Sequence, residues 1–206
     1  MGNFLGRLII CVDGGDKSYI LWNGTEAYYQ KLREAYLDIK NDKDTKYLHF
    51  GFFTLCASTL EFSLNFLLTN YCVNHFGHED YKKYAEAYIG LPFSKKLLMA
   101  PSIISNGKYM LNEDNTSFKT LKELIALRNK ILHNKEFLQE FDFPLLNDVN
   151  QKVPIEFQIQ MGDNPIDSLD KQLCLRYGDA LGQFKTLIMI PALENNLEIN
   201  EMIRST

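Results

Sequence analysis

A guanidinium, a carboxamide and an imidazole fall within six residues at Arg128-Asn129-Lys130-Ile131-Leu132-His133. An imidazole titrates near neutral pH and moves protons in either direction, while a guanidinium keeps its charge and presents a fork of donors that suits a phosphate. Together these groups could move a proton beside a fixed positive charge. Their use depends on where the chain points them.

Turning about 100° per residue, as an α-helix does, puts Leu121, Leu124, Leu127, Ile131, Leu132 and Leu138 on one arc, with Arg128 near its middle. Lys119, Lys122, Glu123, Lys130 and Asn134 take the opposite arc. Arg128 therefore faces whatever this helix packs against, and a charge that cannot be shed needs a partner there. Residues 47–75 hold one side chain that is unambiguously charged at neutral pH, Glu61, so an ion pair between Glu61 and Arg128 is expected. His133 stands about 140° around the helix from Arg128. Asn129, four residues before His133, shares its face and can orient the imidazole. Arg128 and His133 would then border a cleft at the edge of the seam, completed by a second copy of the chain across a two-fold axis. The same residues also read as a structural ion pair beside a surface histidine.

Lysines surround the motif. Lys119, Lys122, Lys130 and Lys135, with Lys95 and Lys96 elsewhere, are candidate phosphate contacts, Lys122, Lys130 and Lys135 foremost, although a solvated helix face explains such residues equally well. A second constellation, Cys72-x2-His75-x2-His78 with Glu79 and Asp80 beside it, contains metal-ligand types at helical spacing, and Gly77 could bend the chain to bring His78 in. No second cluster completes it, so no metal is expected. The chain has no phosphate-binding GKS or GKT loop, no GxSxG elbow, no HExxH and no paired CxxC.

The elements that must position these residues follow from periodicity. Short β-branched and aromatic runs at 7–12 and 19–22 flank Asp13-Gly14-Gly15-Asp16, the pattern of a β-hairpin. An amphipathic helix follows from Thr25, a candidate N-cap, to about residue 39. Residues 47–75 are apolar all round, as in a buried central helix. A membrane span is the competing reading, opposed by Thr54, Ser58, Thr59, Glu61, Ser63 and Asn65 across its centre. A short helix is expected at 79–89, then a turn or two capped by Ser94 that Pro101 ends or kinks, and a polar loop at 106–115. Thr116 or Ser117 caps the motif helix, which runs to about residue 141 before Pro144. Val153, Ile155, Phe157 and Ile159 alternate with polar residues as in a half-buried strand. A last helix opens at Asn164-Pro165, carries Leu169, Leu173, Tyr177 and Leu181, and dissolves near Pro191. The chain thus divides into a hairpin appendage, 1–24, and a mainly α-helical domain, 25–206, with a strand inserted near 153–160.

With 206 residues, 46% of them hydrophobic, the chain can bury one substantial core without disulfides or metal. A net charge of −4 argues against coating nucleic acid by charge alone and leaves a local basic patch open. Cys11, Cys56, Cys72 and Cys174 are widely spaced among apolar neighbours, as buried reduced thiols are. The opening residues 1–7 lack a secretory signal, so a cytoplasmic protein with no membrane association is expected.

Arg128-Asn129-x3-His133 resembles the Arg-polar-x3-His motif of HEPN domains (higher eukaryotes and prokaryotes nucleotide-binding). The similarity covers roughly residues 25–142, and it implies an antiparallel α-helical bundle. It further implies a metal-independent endoribonuclease without cofactors, acting as a homodimer and often a toxin or an antiphage, abortive-infection effector controlled by an antitoxin or other regulatory protein. In that reading His133 is general acid or base in attack of a ribose 2′-hydroxyl on its own phosphate. Arg128 binds the phosphate and Asn129 positions His133 or the phosphate, giving a 2′,3′-cyclic phosphate and a 5′-hydroxyl. Some members carry a modifiable tyrosine two residues after the histidine; this chain has Lys135 there. A catalytically inactive HEPN-like module that binds a protein partner or a nucleotide is the alternative.

Overall fold

β-branched and aromatic residues favour extended backbone, and at the start of the chain they pair as a hairpin. In the computed structural model, which describes residues 9–13, 18–41, 43, 45–133 and 165–206, β1 (Ile9–Asp13) runs antiparallel to β2 (Ser18–Trp22), with Ile9 opposite Trp22 and Asp13 opposite Ser18. Gly14, Gly15 and Asp16 of the expected turn lie outside the described residues. Leu21 packs against the helical core, and Trp22 beside it is exposed.

α1 (Thr25–Lys40) follows at once. Thr25 is its first residue rather than its cap: Gly24 holds the cap position, and the buried Thr25 hydroxyl and backbone N–H both donate to the Asn23 side chain. Full burial obliges that hydroxyl to find a partner, and Asn23 is the one in reach.

α2 (Lys46–Ile89) is started by Thr45, whose hydroxyl accepts from Leu48 N at 3.2 Å. Phe52, Phe53, Leu60, Leu64 and Leu68 are 0–1% exposed, so its first limb is the axis of the core. Thr54, Thr59, Ser63 and Thr69 each donate to the carbonyl four residues earlier at 2.7–2.9 Å, which satisfies their hydroxyls inside the helix. Length and composition alone would let α2 cross a membrane, yet 61% of its most apolar stretch is buried within the protein. Packing against α1 and the helices described below accounts for that apolarity. The two helices expected over this segment form one helical run broken at Gly77, whose φ of 76° and ψ of 171° only glycine adopts without strain. There the chain folds back, stacking Phe76 on Tyr84 with ring centroids 3.7 Å apart and setting Tyr71 edge-on to Tyr88 at 6.4 Å.

α3 (Phe93–Ile104) begins directly after Pro92 and has no side-chain cap, so Ser94 does not serve as one. Pro101 does not end it, since the helix runs on to Ile104. The proline is buried beside Leu97 and Ala100, and this contact offsets the single hydrogen bond that its ring removes. The expected polar loop at 106–115 contains β3 (Tyr109–Leu111), which pairs antiparallel with β4 (Ile203–Ser205) from the C-terminal tail. Leu111 and Ile203 face each other and are each 1% exposed, so burial of two apolar residues overrides their polar neighbours.

α4 (Thr116–His133) is capped by Asn115, whose side chain accepts from Phe118 N at 3.0 Å, rather than by Thr116 or Ser117. Phe118, Leu121, Leu124 and Ile125 seal its inner face at 0–3% exposure. Its expected continuation to 141, including Leu138, and the strand near 153–160 lie outside the described residues. α5 (Lys171–Phe184) starts later than Asn164-Pro165, because the Asp170 carboxylate accepts from Leu173 N at 2.7 Å and fixes the cap there. It continues through a π-helical turn (Lys185–Met189) into α6 (Ile190–Leu193). The fold is mainly helical, with α2 packed against α1, α3, α4 and α5, and among the described residues there are two small antiparallel strand pairs, of which β3–β4 adds Leu111 and Ile203 to the core.

Candidate active site

Three helices deliver charge to one point. α2 contributes Glu61 and, one turn on, Asn65; α3 contributes Phe93 and Lys96; α4 contributes Arg128 where its sealed apolar stripe runs out towards solvent. Arg128 Nη2 lies 3.4 Å from Glu61 Oε2, with the arginine side chain 23% and the carboxylate 34% exposed. Lys96 Nζ lies 3.7 Å from the other carboxylate oxygen of Glu61 and donates to Asn65 Oδ1 at 2.8 Å. Only 4% of the Lys96 side chain is exposed, so this ammonium depends on those two acceptors. Beneath both cations lies the Phe93 ring, its centroid 5.9 Å from Lys96 Nζ and 5.8 Å from Arg128 Cζ, within range of a cation–π attraction.

The distances rank these contacts. The Lys96–Asn65 bond is tight, whereas 3.4 Å between Arg128 and Glu61 exceeds the roughly 2.7–2.9 Å of a close charge-assisted bond. Glu61 is partly exposed, and water screens the pair further. Arg128 and Lys96 thus approach the two oxygens of the Glu61 carboxylate from different helices in a partly buried cluster. Asn129 is exposed and its Oδ1 accepts from Arg128 Nη1 at 3.2 Å, which ties the guanidinium laterally.

His133 is the last residue of α4 within the described backbone, and its side chain lies outside the described structure, as does that of Leu132. Along the helix it stands about 7.5 Å beyond Arg128. Lys122 and Lys130 are exposed on the opposite face of α4 and do not join the cluster; Lys135 lies outside the described residues. Lys122 instead borders a small recess with Ser94, Lys95 and Glu113.

Asn65 and Phe93 are members that sequence reasoning did not assign to the site, and Lys96, named only as a candidate phosphate contact or solvated lysine, is buried against Glu61 and Asn65. Their signal was available: Phe93, Lys96, Leu97, Ala100 and Pro101 fall on one helical stripe, so Lys96 interrupts an apolar face of α3 as Arg128 does on α4.

The alternative metal constellation does not assemble. Among the described residues no three His, Cys, Asp or Glu side chains converge to hold an ion. Cys72 is fully buried, and desolvation holds its thiol above the usual range. His75 stacks on Tyr71 at 5.3 Å, and His78 turns towards Glu79 at 3.9 Å, because Gly77 breaks the helix that would have aligned it with the other two. A groove of about 760 Å³ between α1 and α5, walled by Tyr29, Tyr36 and Gly178, contains none of the expected site residues.

Compared with family models, curated proteins and solved structures, the chain matches none.

Proposed function

We propose that this protein is a HEPN-type, metal-independent endoribonuclease of the cytoplasm, acting as a homodimer and used as a toxin or antiphage effector. One observation supports this reading above others: Arg128 is drawn inward by a carboxylate that it shares with the buried Lys96, at the edge of the core and not within it. A scissile phosphate would draw Arg128 from its long contact with Glu61, while Lys96, itself anchored on Asn65, stays beside the carboxylate.

In the proposed reaction one His133 imidazole removes the proton of a ribose 2′-hydroxyl. The 2′-oxygen forms a bond to phosphorus, the P–O5′ bond breaks, and an imidazolium protonates the departing 5′-oxygen. Arg128 faces the charge that grows on the phosphoryl oxygens, and Asn129 holds the guanidinium laterally. A two-fold pairing of α4 would supply one imidazole as base and the other as acid. An antitoxin or regulatory protein would restrain the activity in the cell.

A second reading, a catalytically inactive helical module that binds a protein or nucleotide, is favoured by the tie between Arg128 and Glu61 itself. Expression of wild type against His133→Ala in growing cells, with end-group analysis of RNA cleaved in EDTA, separates the two. Growth arrest by wild type alone, with 2′,3′-cyclic phosphate ends, is expected of the ribonuclease. Equal growth and no His133-dependent cleavage would leave the binding module.

A further inference from the structure

The groove between α1 and α5 measures about 760 Å³, within the roughly 300–1,000 Å³ of small-molecule sites. Its α1 wall is the stripe Tyr29, Leu32, Arg33 and Tyr36, whose spacing puts all four on one helix face. Its α5 wall is nearly bare. Gly178 and Gly182 stand there one turn apart, and glycine inside a helix is less stable than alanine. Packing explains the first: a Cβ on Gly178 would stand 2.5 Å from the Tyr36 ring. Among the described residues nothing explains the second, since a Cβ on Gly182 would meet no neighbouring atom within 4 Å and would take up open space in the groove. Just beyond, the helix widens into the π-helical turn, and three consecutive residues of that turn, Lys185, Thr186 and Leu187, line the same groove. Such turns are rare and recur at functional sites.

The polar groups of the lining decide which ligand would fit. Several are engaged within the protein. The Tyr36 hydroxyl donates to Asp179 Oδ1 at 2.8 Å, Lys185 Nζ donates to Glu26 at 2.8 Å, and the Thr186 hydroxyl donates to Gly182 O at 2.9 Å. Two charged side chains of the lining, Arg33 and Glu201, make no hydrogen bond or ion pair among the described residues. A guanidinium matches a carboxylate through its fork of donors, and a carboxylate matches an ammonium. Tyrosine and leucine side chains on one wall and bare helix backbone on the other suit a flat apolar body. A molecule with all three features is an aromatic zwitterion.

We propose that the α1–α5 groove binds an aromatic zwitterion, the chemistry shared by an aromatic amino acid and a short aromatic peptide. Its ring lies over the Gly182 backbone, its carboxylate meets Arg33 and its ammonium meets Glu201. The proposal does not depend on the ribonuclease reading, because the groove shares no residue with the Arg128 cluster.

Calorimetric titration of the full chain with L-phenylalanine and with L-phenylalanyl-L-phenylalanine separates the two sources, the tighter binder naming the one that fits. At least one should bind with a Kd of about 1 mM or tighter. The C-terminal amide and the N-acetyl derivative of that binder should each bind more weakly. Arg33→Gln should erase the difference made by the amide, and Glu201→Gln the difference made by the acetyl group. Gly182→Leu fills the space over the backbone and should weaken binding about tenfold. Its melting temperature should equal or exceed that of wild type, since leucine suits a helix better than glycine. No binding of either probe, a difference that survives its matching variant, or full affinity of Gly182→Leu would overturn the proposal. So would a lower melting temperature of Gly182→Leu, because packing would then account for the glycine.

Discussion

The first limb of α2 gathers polar residues in two places, around Glu61 and around Gly77, and only one of them becomes a cluster of converging charges. At Glu61 each member comes from a different helix: Arg128 from α4 and Lys96 from α3, meeting one carboxylate at 3.4 and 3.7 Å. At Gly77 the candidate ligands Cys72, His75 and His78 are neighbours in sequence, and the break at Gly77 separates them. The rings of Tyr71, His75, Phe76 and Tyr84 stack there instead, joining the two limbs. Spacing along one helix brings residue types close. Convergence takes several helices that bury a charge and must answer it.

That contrast can be broken by removing what holds each place together. Glu61→Gln takes the carboxylate from the buried Lys96 and from Arg128, and should cost about 3 kcal/mol in denaturant unfolding, the low end for breaking a buried pair because Glu61 is partly exposed. Lys96→Met, which removes the buried charge but not the stem, should cost less; if both variants are equally stable, the cluster is not an electrostatic unit. Gly77→Ala places a side chain at a φ of 76° and should cost about 2 kcal/mol without touching the Glu61 cluster. An unchanged melting temperature would mean that the break does not depend on glycine. The double variant His75→Ala, His78→Ala should lose about 1 kcal/mol of ring contact and nothing else. Zinc retained after dialysis by wild type and not by this variant would restore the metal reading at Gly77.

What the sequence disclosed follows the same division. The hairpin strands, α1, the buried limb of α2 and the inner face of α4 each rest on a local periodicity, and each was legible from it. The contact between Arg128 and Glu61 was legible because an apolar stripe interrupted by one cation faces an apolar helix holding one carboxylate. The β3–β4 pair was not, since three residues at 109–111 meet three at 203–205 and neither run is long enough to show a period. Pro101 inside α3 and the late start of α5 at Asp170 were decided by burial and by a cap, which outweigh the sequence punctuation nearby. Lys96 was named as a candidate phosphate contact, but its burial beside Glu61 was not foreseen. Read next to Lys95 it passes for a solvated lysine, and only its place on the Phe93–Leu97–Ala100 stripe marks it as buried.

The most direct measurement is the rate at which purified protein cleaves single-stranded RNA in EDTA, wild type against His133→Ala, with both melting curves recorded. If Arg128 and His133 form a ribonuclease site, wild type cuts to 2′,3′-cyclic phosphate ends, and the variant is slower by roughly 10²–10⁴-fold, the range of one lost acid–base group, at an unchanged melting temperature. Equal rates in a folded variant would contradict it.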